Sequence, residues 1–137
     1  MKSRIFQDLL RGALVADGVL TGISGAAMTL APALLEAWLG LPSAMLGSVG
    51  IALLVYAAFV LWLGTRERIP RAPVIAVIAI NALWTLDSLL LLMTGWVEPT
   101  VLGYVFTIGQ ALVVAGLAGL QYAGLKRTAV PAAQPAR

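Results

Sequence analysis

The stretch Gly64-Thr65-Arg66-Glu67-Arg68-Ile69-Pro70-Arg71 lies between two long apolar runs, and its reading decides the fold. One run extends from about Ser43 to Gly64 and the next from about Pro73 to Thr94. Each matches the ~20 residues that an α-helix needs to cross the hydrocarbon core. A tight loop with Arg66, Arg68 and Arg71 between two such runs reads as the cytoplasmic turn of a membrane protein, because Lys and Arg stay on the side from which a chain inserts. Working outward, a first span runs from about Gly12 to Ala31 and a fourth from about Thr100 to Leu125. Lys2, Arg4 and Arg11 precede the first span, and Lys126, Arg127 and Arg137 follow the fourth. Together with the loop arginines these are all 9 basic residues. The two remaining connections carry only Glu36 and Glu98 as charged groups. The partition predicts an all-α integral membrane four-helix bundle, built as two parallel helical hairpins with both termini cytoplasmic.

Composition agrees. Of 137 residues, 61 % are hydrophobic and 11 % charged; a soluble domain carries roughly a quarter charged residues. The mean hydropathy is +0.96. The bilayer is therefore the expected solvent, and membrane lipids are expected contacts. The net charge of +3 flanks apolar spans, where it meets anionic headgroups, so no nucleic-acid partner is expected. Cysteine and histidine are both absent. That removes thiol redox chemistry, disulfides, thiolate or imidazole metal sites and His-based catalysis. No metal, cofactor or catalytic residue is expected. The basic start, apolar stretch and Ala31-Pro32-Ala33 step resemble a secretory signal, but Asp17 interrupts the apolar core, and an uncleaved first span is the expectation.

Between the first two spans, Ala33 to Leu41 contains Glu36 and Trp38 and reads as a short helix at the outer interface, with Pro42 restarting the chain at a first helical turn. Gly95-Trp96-Val97-Glu98 makes the other outer turn, and Pro99 opens the fourth span. Trp38, Trp62 and Trp96 fall near interfaces, where amphipathic rings settle. Each half thus has an aromatic outer turn and a Pro-Ser or Pro-Thr helix start. This fits either an internal duplication or the general needs of a membrane hairpin. Residues 1–127 form the expected membrane domain, and the Ala- and Pro-rich tail 128–137 is expected to be disordered.

The polar residues inside the spans are the candidates for a site. In the first span Asp17, Thr21, Ser24 and Met28 share one face, and Gly18, Gly22 and Gly25 form a stripe beside it. Val19, Leu20, Ile23 and Leu30 cover the opposite side. The glycines predict close helix packing. Asp17 lies roughly 8 Å inside the cytoplasmic boundary, at 1.5 Å per residue. A carboxylate at that depth needs a partner, a cavity or water. It reads either as an interhelical hydrogen bond or salt bridge, or as a group that handles a proton or ligand. In the third span Asn81, Trp84, Thr85 and Ser88 cluster on one arc, with Asp87 at its edge; Gln110 falls near mid-membrane in the fourth, on the same side as Gly103, Thr107, Val114 and Gln121. The candidate seam is a ladder: Asp17 low, Asn81 and Gln110 central, Asp87 high. Trp84 is expected to bond Asp87 or a carbonyl, or to stack on a flat ligand. No phosphate loop or activated nucleophile is present.

Ile80-Asn81-Ala82-Leu83-Trp84, Pro99-Thr100-Val101-Leu102-Gly103, Gln110-Ala111 and Leu120-Gln121-Tyr122-Ala123-Gly124-Leu125-Lys126-Arg127 carry a resemblance over nearly the whole chain. It resembles an uncharacterised family of small four-helix bacterial inner-membrane proteins. More distantly, in length, layout and its Arg11-Gly12 start, it is similar to DoxX-like proteins. The resemblance implies fold and location, and no catalytic residue. The expected function is non-enzymatic, acting through helix contacts as an accessory subunit or self-associating homo-oligomer. The alternative is a small transporter or carrier of an apolar small-molecule ligand that uses the polar seam.

Overall fold

The computed structural model describes residues 1–128. All regular structure among them is helical: α1 (Lys2–Leu30), α2 (Pro32–Leu39), α3 (Ser43–Gly64), α4 (Arg71–Thr94) and α5 (Val101–Thr128). The four longer helices are each long and apolar enough to cross a membrane. α1 begins ten residues before the expected span, so the amphipathic run Ile5–Leu10 continues the first crossing helix instead of lying apart from it. The expected disordered tail lies outside the described residues except for Thr128, which ends α5.

Local chemistry sets the boundaries. Pro32 opens α2 in its first turn, and α2 ends at Gly40, whose φ of +70° is open to glycine at little cost. Pro42 is the N-cap of α3 rather than part of its first turn. The Glu36 carboxylate accepts the Ser43 N–H at 3.1 Å, satisfying an amide that helix geometry leaves free. At the start of α5 the Thr100 hydroxyl accepts the Gly103 N–H at 3.1 Å, while its own proton goes to the Trp38 carbonyl at 2.6 Å. Thr100 thereby fixes α2 across the start of α5.

α1 is the hub of the bundle. It packs along both α3 and α5, and α5 packs along α4, whereas α3 and α4 approach each other at few points. The bundle is therefore closed along three seams and loose along the fourth. Gly25 and Gly50 make the α1–α3 crossing possible: a Cβ on Gly25 would lie 2.9 Å from the Gly50 carbonyl oxygen, and one on Gly50 would lie 2.6 Å from the Thr29 hydroxyl. Gly18 is also tight, against Leu61 at 2.6 Å. Gly22, expected to share in this packing, is in ordinary contact, 3.6 Å from the Ala57 Cβ. The arc of Val19, Leu20, Ile23 and Leu30 faces outward, as expected of a lipid surface.

Two apolar clusters close the ends. Leu10, Leu14, Val60, Leu63, Val74, Val77 and Leu125 fill the end that holds the basic residues. Met28, Leu39, Leu41 and Leu46 fill the far end, beneath α2. At the basic end Arg11 donates to the carbonyls of Gly64 (2.9 Å), Arg66 (2.8 Å) and Glu67 (3.3 Å). A cation thus satisfies the last carbonyl of α3, where the helix dipole favours it, together with two carbonyls of the loop that follows. Arg66 lies 3.9 Å over the Trp62 ring, and Arg127 4.7 Å over Phe6.

Candidate functional site

Between the two apolar clusters the bundle carries two polar layers. The first centres on Asp17, which is fully buried. Its Oδ2 accepts the Asn81 side-chain amide at 2.7 Å and that of Gln121 at 2.8 Å, and its Oδ1 accepts the Thr21 hydroxyl at 3.2 Å. The other Asn81 amide proton goes to Gln121 Oε1 at 3.1 Å, so Asp17, Asn81 and Gln121 form a closed ring. Tyr56 from α3 donates to Asn81 Oδ1 at 2.9 Å, which fixes the way the Asn81 amide faces. All four crossing helices contribute to this layer, α1 with both Asp17 and Thr21. Among the described residues no buried side-chain polar atom lacks a partner.

Asp17 is therefore hydrogen-bonded between helices, and its partners are neutral. Arg11 does not join it; that guanidinium is held by the end of α3. The expected ladder is corrected in three respects. Asn81 bonds Asp17 directly instead of occupying a separate central rung. Gln110 belongs to a second layer: its Oε1 accepts the Trp84 indole N–H at 3.0 Å, and its amide reaches the Ser88 hydroxyl at 3.4 Å. Ser88 in turn donates to the Trp84 carbonyl at 2.7 Å. Trp84 thus bonds the side-chain carbonyl of Gln110, neither Asp87 nor a backbone carbonyl. Asp87 joins neither layer; it is exposed at the edge of the bundle.

Two residues of the first layer were not among the candidates. Gln121 carried a usable signal, since it shares the α5 face of Gly103, Thr107 and Gln110 and is an amide in an apolar helix. Tyr56 carried none, because a tyrosine within an apolar run reads equally well as bulk.

The second layer separates two cavities. The larger, about 440 Å³, lies between α3, α4 and α5 toward the far end, with Met45, Val49, Leu91, Phe106 and Asp87 among its lining residues. The smaller, about 210 Å³, is lined by Thr21, Leu53, Tyr56, Asn81 and Val114 and reaches the Asp17 layer through Tyr56 and Asn81. Trp84 and Gln110 line both, so their hydrogen bond is the partition. Both cavities exist because α3 and α4 stand apart. Their walls are predominantly hydrocarbon with a few convergent polar groups, the make-up of small-molecule sites. Among the described residues no group of acidic side chains is placed to hold a metal ion.

No protein-family model, curated protein or solved structure matches the chain.

Proposed function

We propose that this four-helix membrane protein is a non-enzymatic binder or carrier of an apolar small molecule, held between α3 and α4. The observation that carries the reading is the 440 Å³ cavity whose floor is the Trp84–Gln110 pair. Its volume falls in the range that encloses a drug-sized ligand. The loose α3–α4 seam gives such a molecule a lateral route from the bilayer, where apolar compounds concentrate. The Asp17 layer supports the same reading from the other side. With its acceptors and donors matched, it fastens the four helices together beneath the cavity and leaves the site above it free to take a ligand. The partition of the basic residues supports an orientation with both termini in the cytoplasm of a bacterial cell and the larger cavity in the outer half of its inner membrane.

The test uses a variant with Trp84 as sole tryptophan (Trp38→Phe, Trp62→Phe, Trp96→Phe) in nanodiscs. Energy transfer from Trp84 to the neutral fluorophore N-phenyl-1-naphthylamine is titrated. Saturable transfer that disappears in Val49→Phe, which fills the cavity, is expected. Transfer that rises linearly with dye and is the same in both proteins would overturn the reading.

A second reading, self-association through helix contacts, is favoured by one face of α5. Gly109 and Gly116 lie on it two turns apart, and among the described residues no side chain or other helix comes within 4 Å of where their Cβ atoms would be. Val105 and Leu112 beside them are 63 % and 69 % exposed. Small residues on a membrane face that no other described helix covers permit close approach of a second copy.

A further inference from the structure

We infer that the larger cavity selects an amphiphilic organic cation, a quaternary or protonated amine on an apolar body, and that Asp87 is the group that recognises its charge. This rests on the ligand-binding reading above and names the ligand class.

Asp87 lies seven residues before the end of α4 at Thr94, roughly 10 Å along the axis at 1.5 Å per residue. A carboxylate at that depth persists only where it meets a partner, water or a cavity. Within the described chain Asp87 has no cation to pair with. Lys2, Arg4, Arg11, Arg66, Arg68, Arg71, Lys126 and Arg127 all gather at the opposite end of the bundle. What Asp87 does meet is the cavity that it helps to line.

The rest of that wall has the complementary chemistry. Trp84 and Trp96 line the same cavity, and indole faces attract a cation more strongly than other aromatic rings. Met45, Val49 and Leu91 offer hydrocarbon to the remainder of the ligand. An anion would be repelled by Asp87, and a neutral ligand would leave the carboxylate without a counter-charge. At about 440 Å³ the cavity matches a small free amphiphile; a choline headgroup of a bilayer lipid is the competing occupant that the test below separates. Such cations partition into bilayers, and the α3–α4 seam opens the site to them sideways.

The test compares (1-naphthylmethyl)trimethylammonium with its neutral carbon isostere, 1-neopentylnaphthalene. Each displaces N-phenyl-1-naphthylamine from the full-length protein in nanodiscs. Concentrations are referred to the amount of each compound measured in protein-free nanodiscs, so that membrane partitioning cancels. The expected result is at least tenfold tighter displacement by the cation in the native protein, a ratio near one in Asp87→Asn, and recovery of the preference in Asp87→Glu. Asp87 is exposed and outside both hydrogen-bonded layers, so all three proteins should elute alike. Equal displacement by cation and isostere in the native protein would overturn the inference while leaving the ligand-binding reading intact. Failure of the naphthylamine itself to bind saturably would remove both. Nanodiscs of phosphatidylglycerol and of phosphatidylcholine should give the same ratio. Loss of the preference only in phosphatidylcholine would identify the lipid headgroup as the occupant and overturn the inference.

Discussion

Asp17 and Gln121 are 104 positions apart in the chain and meet at 2.8 Å in the middle of the bundle, where Asp17 Oδ2 accepts the Gln121 amide together with that of Asn81. Asp17 sits on α1 and Asn81 on α4, helices that do not adjoin. The ring of three side chains therefore spans the diagonal of the bundle and holds both hairpins to one register.

The asymmetry of the Asp17 carboxylate makes a sharp prediction. Oδ2 takes both amides, while Oδ1 faces only the Thr21 hydroxyl. An asparagine can keep its carbonyl oxygen in the Oδ2 seat and turn its amide toward Thr21, which has lone pairs to accept it. Asp17→Asn should therefore retain the fold with a small loss of stability. Asp17→Leu strands two buried donors and should cost about 1–3 kcal/mol for each. Thermal unfolding in detergent, followed by size-exclusion chromatography, checks the order. Equal losses for the two variants would contradict it.

Glycine substitutions should separate by position. Gly50→Ala places a methyl group 2.6 Å from the Thr29 hydroxyl and 2.8 Å from the Met28 Cβ. Such overpacking costs about 1–3 kcal/mol. Gly22→Ala meets only Ala57 at 3.6 Å and should be neutral or slightly stabilising. Unfolding of the two variants in mixed micelles of rising denaturing-detergent fraction measures the difference.

Removing the acceptor of Trp84 should be visible spectroscopically. In Gln110→Leu the indole N–H loses its 3.0 Å partner and the wall between the two cavities loses its polar half. With Trp84 as sole tryptophan, the emission should shift to the blue. An unchanged spectrum would show that Trp84 does not depend on Gln110.

Topology is readily tested because the chain has no cysteine. A cysteine at Glu98 should label from outside the membrane in intact cells, and one at Glu67 only after permeabilisation. The reverse pattern would invert the bundle.

Self-association through α5 predicts that Gly109→Leu and Gly116→Leu reduce any oligomer to monomer and leave the monomer stable, since both positions face away from the bundle. Light scattering in detergent reads the mass. A monomeric native protein would exclude this interface.

The fold was legible because span length, interfacial tryptophans and basic charge act locally along the chain. Ser43–Gly64 is the same from sequence and structure. The start of α1 was not, since an amphipathic run such as Ile5–Leu10 is compatible both with a surface segment and with the first turns of a crossing helix. Within the site, Asp17 and Asn81 are buried, Trp84 and Gln110 half-buried and Asp87 exposed, a grading that follows the polar face of each helix. Their pairing was not legible. Depth along one helix says nothing about which neighbour stands opposite, and Asn81 reaches Asp17 only because α4 and α1 sit on a diagonal. Nor does helix periodicity reveal a gap between helices, so the cavities had no trace in the sequence.

The loose seam between α3 and α4 has a mechanical consequence. Tyr56 makes the side-chain hydrogen bonds found across it among the described residues, to Asn81 Oδ1 and, at 3.5 Å, to the Val77 carbonyl. With α1 and α5 forming a firm spine, the two hairpins resemble the covers of a book held shut by one clasp. Lateral pressure in the bilayer acts on those covers directly. Thinner or more strained membranes would alter the angle between them, making the width of the gap a property of the surrounding lipid as much as of the chain.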